Sequence, residues 1–128
     1  MDWHDGTAAR TIWGEARGEG AMGMAAVGHV LLNRLATGRW GKTLSDVCLR
    51  PYQFSCWNIG DPNRALVLEL GDVELAAEFA ALEEAGAEVD ITGGATHYYA
   101  AGTQTPNWVE GADFTVQIGR HRFYTNVR

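Results

Sequence analysis

The sequence predicts an α+β fold, mainly helical, built as one domain over residues 1–128. Three observations carry that prediction. Residues from about 5 to 85 hold a series of helical patterns punctuated by capping residues and glycines. Segments rich in β-branched and aromatic residues are confined to the last third, around 95–100 and 114–118. A chain of 128 residues with 46% hydrophobic content is long enough for one core and too short for two ordinary ones.

The first helix is expected over 6–17, with Asp5 as its N-cap and Gly18 and Gly20 as its stop. A helix turns 100° per residue, which places Ala8, Ala9, Ile12 and Ala16 on one apolar stripe. Glu15 then lies about 60° from Ile12, at the edge of the stripe. The second helix, 21–37, carries Met22, Met24, Val27, Val30, Leu31, Leu32 and Leu35, apolar nearly all round, and is expected to be the buried central helix. Its polar exceptions, His29, Asn33 and Arg34, need partners once buried. Thr43 and Asp46 have the spacing of a capping box for a short helix that Pro51 ends.

Residues 52–57, Tyr-Gln-Phe-Ser-Cys-Trp, read as a small hairpin or extended loop. Asp61-Pro62 opens a helix to about Leu70. Asp72 caps another over 73–85, with Leu75, Phe79 and Leu82 inward and Glu74, Glu78, Glu83 and Glu84 outward. Gly93-Gly94 marks a turn, strands follow at 95–100 and 114–118, and Pro106-Asn107-Trp108 lies on the loop between them.

Composition excludes several functions. A net charge of −6 argues against nucleic-acid binding through a basic surface. No run of 18 apolar residues is present, so no membrane insertion is expected. Met1-Asp2-Trp3-His4-Asp5 lacks a basic segment and an apolar core, so no signal peptide is expected. Cys48 and Cys56 are expected as two buried thiols, with a disulfide possible where the segment between them doubles back. The four histidines show no zinc-site spacing, so no metal and no cofactor are expected. No Gly-x-Ser-x-Gly elbow supports acyl transfer, and no glycine loop with a lysine cradles phosphate.

What chemistry remains centres on Glu15. A carboxyl at the edge of an apolar stripe is partly desolvated, which raises its pKa and keeps a proton available as a general acid requires. The competing reading is a half-exposed glutamate paired with Arg10 or Arg17. Aromatic and polar residues gather in three clusters: Gln53-Phe54-Ser55 with Trp57, His97-Tyr98-Tyr99, and Trp108 with His121, Phe123 and Tyr124. Flat rings interleaved with amide and hydroxyl groups suit a sugar groove, and equally the edge of an ordinary core.

Several blocks together carry a resemblance. Ile12-Trp13-Gly14-Glu15-Ala16-Arg17-Gly18-Glu19, the Gly23–Val27 run with Asn33-Arg34, Gln53-Phe54-Ser55-Cys56-Trp57, Thr96-His97-Tyr98-Tyr99 and Ile118–Tyr124 resemble the SleB/CwlJ family of cell wall hydrolases. That family includes spore cortex-lytic enzymes and phage-type endolysins. The resemblance implies a lysozyme-like domain acting on peptidoglycan glycan strands as a lytic transglycosylase, with Glu15 as catalytic acid and base. Glu19, four residues on, is the rival. It further implies that Gln53, Phe54 and Ser55 orient the sugar and that His97 and Tyr99 line the groove. Trp108, His121 and Tyr124 would stack or hydrogen-bond nearby.

No peptidoglycan-binding repeat accompanies the domain, which favours a stand-alone phage, prophage or gene-transfer-particle lysin over a spore-cortex role. The chain is expected to work as a monomer, made in the cytoplasm and acting at the wall after release or export. The alternatives are a hydrolytic muramidase or glucosaminidase, an N-acetylmuramoyl-L-alanine amidase, and a non-catalytic glycan-binding module.

Overall fold

A computed structural model describes residues 3–128. The helices are α1 (Trp3–Ala16), α2 (Gly20–Thr37), α3 (Leu44–Leu49), α4 (Pro62–Glu69) and α5 (Ala76–Ala87). The strands β1 (His97–Ala100), β2 (Asp113–Ile118) and β3 (His121–Thr125) follow. They form one antiparallel sheet in the order β1-β3-β2, with an irregularity at Thr115 on β2. This is the mainly helical α+β architecture that the sequence predicts.

The apolar α2 is the central helix, and it buries two faces. Met24, Val27 and Leu31 join Ala8, Ile12 and Ala16 of α1 and Ala81 and Leu82 of α5 in a helical core. Ala26 and Val30 pack instead on Ala95, Ile118 and Phe123 in a second cluster beneath the sheet. Burying each of the larger side chains among these, Met, Val, Leu, Ile or Phe, contributes about 1.5–3 kcal/mol, so α2 holds the two parts together. A Cβ at Gly28 would meet the Ala85 Cβ at 3.1 Å, which shows how closely α2 and α5 approach. Met22 departs from the expected pattern and is 65% exposed.

The polar exceptions on α2 find partners in the segment leading into β1. Asn33 Nδ2 donates to Asp90 Oδ2 at 2.8 Å and to the Ala95 carbonyl at 2.9 Å, and His29 Nδ1 lies 3.6 Å from Asp90 Oδ1. These bonds fix where the sheet begins relative to the helices.

Several local expectations change. Helix α1 starts at Trp3, so Asp5 lies within its first turn rather than capping it. Residues 52–57 form no hairpin: a turn leads into a 3-10 helix at Ser55–Trp57, because Phe54 and Cys56 are drawn into the helical core. Burial there outweighs the strand propensity of the aromatic residues. The fifth helix starts at Ala76 rather than 73, with Leu75 as a cap that makes no side-chain bond, and Glu78 is 4% exposed rather than outward. Residues 121–125 add a third strand. Cys48 and Cys56 are free and buried, and burial pushes both thiols up to about 12. The capping box at Thr43 and Asp46 forms as expected, and no helix is long and apolar enough to cross a membrane among the described residues.

Candidate active site

Glu15 stands one residue from the C-terminus of α1. The stripe beneath it is dry: Ala8, Ala9 and Ile12 are 0% exposed and Ala16 2%. Glu15 itself is half-buried at the stripe's edge, as the helical periodicity places it. Its neighbour Gly14 explains how the carboxyl becomes covered. A Cβ at Gly14 would lie 2.8 Å from both Cβ and Sγ of Cys56, so only glycine lets the 3-10 turn press onto α1 there.

From the other side the sheet contributes Tyr98. Its hydroxyl donates to Glu15 Oε1 at 2.5 Å, a short bond of the kind made to a carboxylate. Tyr98 pairs with Phe123 across β1 and β3, and its ring packs at 5.4 Å from Phe123 and 4.9 Å from His121. It touches both hydrophobic clusters and so sits at the seam between helices and sheet.

The third member is Arg34, 5% exposed on α2. Its Nε donates to the Thr96 carbonyl at 2.7 Å and its Nη1 to Gln53 Oε1 at 3.1 Å. The guanidinium lies over Trp40 at 4.6 Å and Phe54 at 5.1 Å. Burial lowers its pKa to about 10, leaving a cation at neutral pH.

The electrostatics follow from this enclosure. Burial raises the Glu15 pKa above its ordinary 4.5, against the Tyr98 hydrogen bond and the Arg34 charge, while Asp61 pushes it further up. Burial and the adjacent Glu15 carboxylate raise Tyr98 well above 10, so the phenol stays protonated and donates. The arrangement can hold a proton on a carboxyl, aim that carboxyl, and accept the proton back.

Glu19 has the opposite surroundings. It begins α2 after the break at 17–19, and its side chain makes no cap bond. Instead Oε1 accepts from the Arg120 backbone N–H at 3.2 Å, and Oε2 takes Arg120 Nε at 3.2 Å and Nη2 at 3.1 Å. The hydrogen bonds from Arg120 hold its carboxyl below 4.5. Its surroundings favour the ionised form, where those of Glu15 favour the protonated one.

The remaining predicted residues divide between the two faces of the sheet. His121 shares the inner face with Tyr98 and Phe123. His97, Tyr99 and Tyr124 belong to the opposite face, where Trp108 lies 5.0 Å from His97, 6.0 Å from Tyr99 and 5.4 Å from Tyr124. Phe114, 47% exposed, meets Tyr124 at 5.6 Å and carries Arg122 over its ring at 4.3 Å. The aromatic face reaches the Glu15 side through Trp40, 5.6 Å from His97 and in contact with Arg34. Burial, with Arg34 and Arg39 nearby, lowers His97 to about 4, so it is neutral at pH 7.

Within the Gln53-Phe54-Ser55 block the three residues diverge. Gln53 holds Arg34, Phe54 is core at 2% exposed, and Ser55 is exposed at the start of the 3-10 turn. Clefts of about 630 Å³ beside Arg39 and Asp113 and about 480 Å³ beside Arg10 and Arg64 are not lined by Glu15.

Tyr98 and Arg34 are absent from the residues predicted for the site. For Tyr98 the signal was the period of two in a strand, which separates it from His97 and Tyr99 and turns it to the other face. For Arg34 the signal was a lone cation on an otherwise apolar helix.

Comparison with known proteins gives concordant matches. The model of the cell wall hydrolase family matches residues 18–124, a span that starts just after Glu15. The spore cortex-lytic enzyme of Halalkalibacterium halodurans is 31% identical over 115 residues, 90% of this chain and 32% of that protein. Its counterpart in Oceanobacillus iheyensis is 33% identical, over 90% of this chain and 39% of its own length. This chain therefore spans about a third to two-fifths of the length of the curated relatives it matches. Among solved structures, the catalytic domain of the germination-specific lytic transglycosylase SleB from Bacillus anthracis superposes with a TM-score of 0.78 at 28% identity, covering 98% of this chain and 97% of that one. The catalytic domain of the Bacillus cereus SleB protein gives 0.74 at 27% identity, over 98% and 92%.

Proposed function

This chain belongs to the cell wall hydrolase family, and from that premise we propose that it cleaves peptidoglycan glycan strands as a lytic transglycosylase with Glu15 as acid and base. One observation carries the assignment to Glu15. Its carboxyl is desolvated, raised in pKa and gripped by Tyr98 at 2.5 Å, while the other acid of the same block is ion-paired to Arg120.

The reaction is built from that carboxyl. Protonated Glu15 gives its proton to the glycosidic oxygen between N-acetylmuramic acid and N-acetylglucosamine as that bond breaks. The muramic 2-acetamido oxygen shares the positive charge that develops at C1. Glu15, now a carboxylate steadied by Tyr98 and Arg34, takes the proton of the muramic C6 hydroxyl as its oxygen bonds to C1. A 1,6-anhydro ring results, no water is consumed, and Glu15 ends protonated again. The ordinary glycosidase pair of carboxylates is not needed.

Gln53 and Ser55 orient the sugar from the 3-10 turn, Gln53 also steadying Arg34, with Phe54 as the floor beneath. His97, Tyr99 and Trp108 offer ring faces to the flanking pyranoses; Tyr124, 4% exposed, packs beneath Tyr99 and Trp108 rather than facing the groove, and His121 supports the site from within. The enzyme works as a monomer on the bacterial wall, reached after release or export.

A hydrolytic muramidase is the second reading, and Asp61 is the reason to keep it. Its charge is felt at Glu15, so it could activate a water. Against that, Asp61 Oδ1 is engaged with the Asn63 N–H at 2.8 Å as the cap of α4. Mass spectrometry of muropeptides from purified walls decides. Anhydro-muramyl ends, absent with Glu15→Gln, support the transglycosylase; reducing ends carrying an added water overturn it in favour of hydrolysis.

A further inference from the structure

We propose that Glu19 is a positioning residue for Glu15, acting at a distance by locking the β2–β3 turn so that His121 holds Tyr98 on the Glu15 carboxyl. The inference rests on the reading of Glu15 as the acid, and extends it to a residue that touches no reacting atom.

The chain of contacts is continuous. Glu19 binds both the backbone and the guanidinium of Arg120, at the turn between β2 and β3. The next residue, His121, places Nδ1 3.9 Å from Glu19 Oε1 and its ring 4.9 Å from that of Tyr98. Tyr98 in turn donates to Glu15. Thus the second acid of the Gly-Glu-Ala-Arg-Gly-Glu block returns to the first through residues about a hundred positions away.

Space has been left for this lock on both sides. A Cβ at Gly23, one turn into α2, would overlap the Cβ of Glu19. At the turn, Gly119 has φ +58°, and a Cβ there would approach Glu19 Oε1 to 3.4 Å. His121 Nδ1 is buried with no hydrogen-bond partner among the described residues. A buried polar atom left unpaired costs stability, so packing, rather than a bond of its own, keeps this ring against Tyr98. The Arg120 side chain is 77% exposed but that of Glu19 only 7%, so the pair fixes a covered carboxylate against the turn.

The test is a titration of the Glu15 carboxyl by carbon-13 NMR, alongside kcat and KM, in Glu19→Gln, Arg120→Met and Gly23→Ala. The groups facing Glu15 are Tyr98 from β1, Arg34 from α2, Cys56 from the 3-10 turn and Asp61 before α4. The sign is diagnostic. The Tyr98 bond lowers the Glu15 pKa, so loosening Tyr98 raises it. Removing a negative charge at Glu19 would by itself move Glu15 downward.

The expected result in Glu19→Gln is an upward shift, with kcat lower by about tenfold or more, as misplacement of a catalytic group produces, and KM little changed. Gly23→Ala keeps the carboxylate but displaces it, and gives the same pattern. Arg120→Met, at an exposed side chain, gives a smaller one and covers the case of a Glu19 variant that fails to fold. An unmoved or lowered Glu15 titration in folded variants overturns the proposal. Because that readout needs no turnover, it stands or falls separately from the catalytic assignment of Glu15.

Discussion

Glu15 and Glu19 lie four residues apart around one helix break, yet their surroundings are opposite. Glu15 is roofed by the 3-10 turn and bound by a buried phenol, and its pKa rises. Glu19 is held by Arg120, 77% exposed, and its pKa falls. Within the block Gly14 contributes by admitting the 3-10 turn. The rest of the difference comes from Cys56, Tyr98 and Arg120, brought in by the helical turn and the sheet. The role of an acid in this molecule is set by what folds onto it.

Replacing each acid should therefore have different consequences. Glu15→Gln should reduce cleavage of purified walls by about 10²–10⁴-fold or to background, the range for loss of a general acid. The same variant should be more stable than the parent at neutral pH. A carboxyl with a raised folded pKa favours the native state while protonated, and that contribution is lost as pH rises from 4.5 through the folded value. Glu19→Gln should behave oppositely. Its depressed pKa contributes stability above the unfolded value that disappears as pH falls through the folded one. Thermal melts at several pH values check both signs, and parallel stability profiles for the two variants would break the comparison.

Tyr98→Phe comes next in size. It removes the hydroxyl at Glu15 and keeps the ring against Phe123 and His121. We expect kcat to fall by about ten- to a hundredfold. The alkaline limb of the pH–rate profile should move to higher pH, because a bond that lowers the Glu15 pKa is gone.

Gly14→Ala tests the roof from the other side. Its Cβ would come within 2.8 Å of Cys56, and overpacking of this kind costs about 1–3 kcal/mol, measurable by urea denaturation. Thr43→Ala is the smallest change and the control: it removes the capping box of α3, should cost about 1 kcal/mol, and should leave kcat unaltered.

Legibility of the sequence tracked how local each feature is. The Ala8–Ile12–Ala16 stripe with Glu15 on its edge, the central α2 and the Thr43 cap all follow from residues within one or two turns, and each appears as expected. Tyr52–Trp57 misled because Phe54 and Cys56 belong to a core assembled from distant helices. Sequence order alone groups the aromatic residues of the groove into one set. Pairing of His97 with Tyr124 and Tyr98 with Phe123 divides them between two faces, and that register depends on a third strand that a window of six residues does not contain. Arg34 was visible as an oddity on α2, but its partners Gln53 and Thr96 lie 19 and 62 residues away.

The most direct test of the opposite character of the two acids is a carbon-13 NMR titration of side-chain carboxyls in the unaltered protein. The expected result is a Glu15 midpoint above 4.5 and a Glu19 midpoint below it. A Glu15 carboxyl that titrates at or below Glu19 would contradict it.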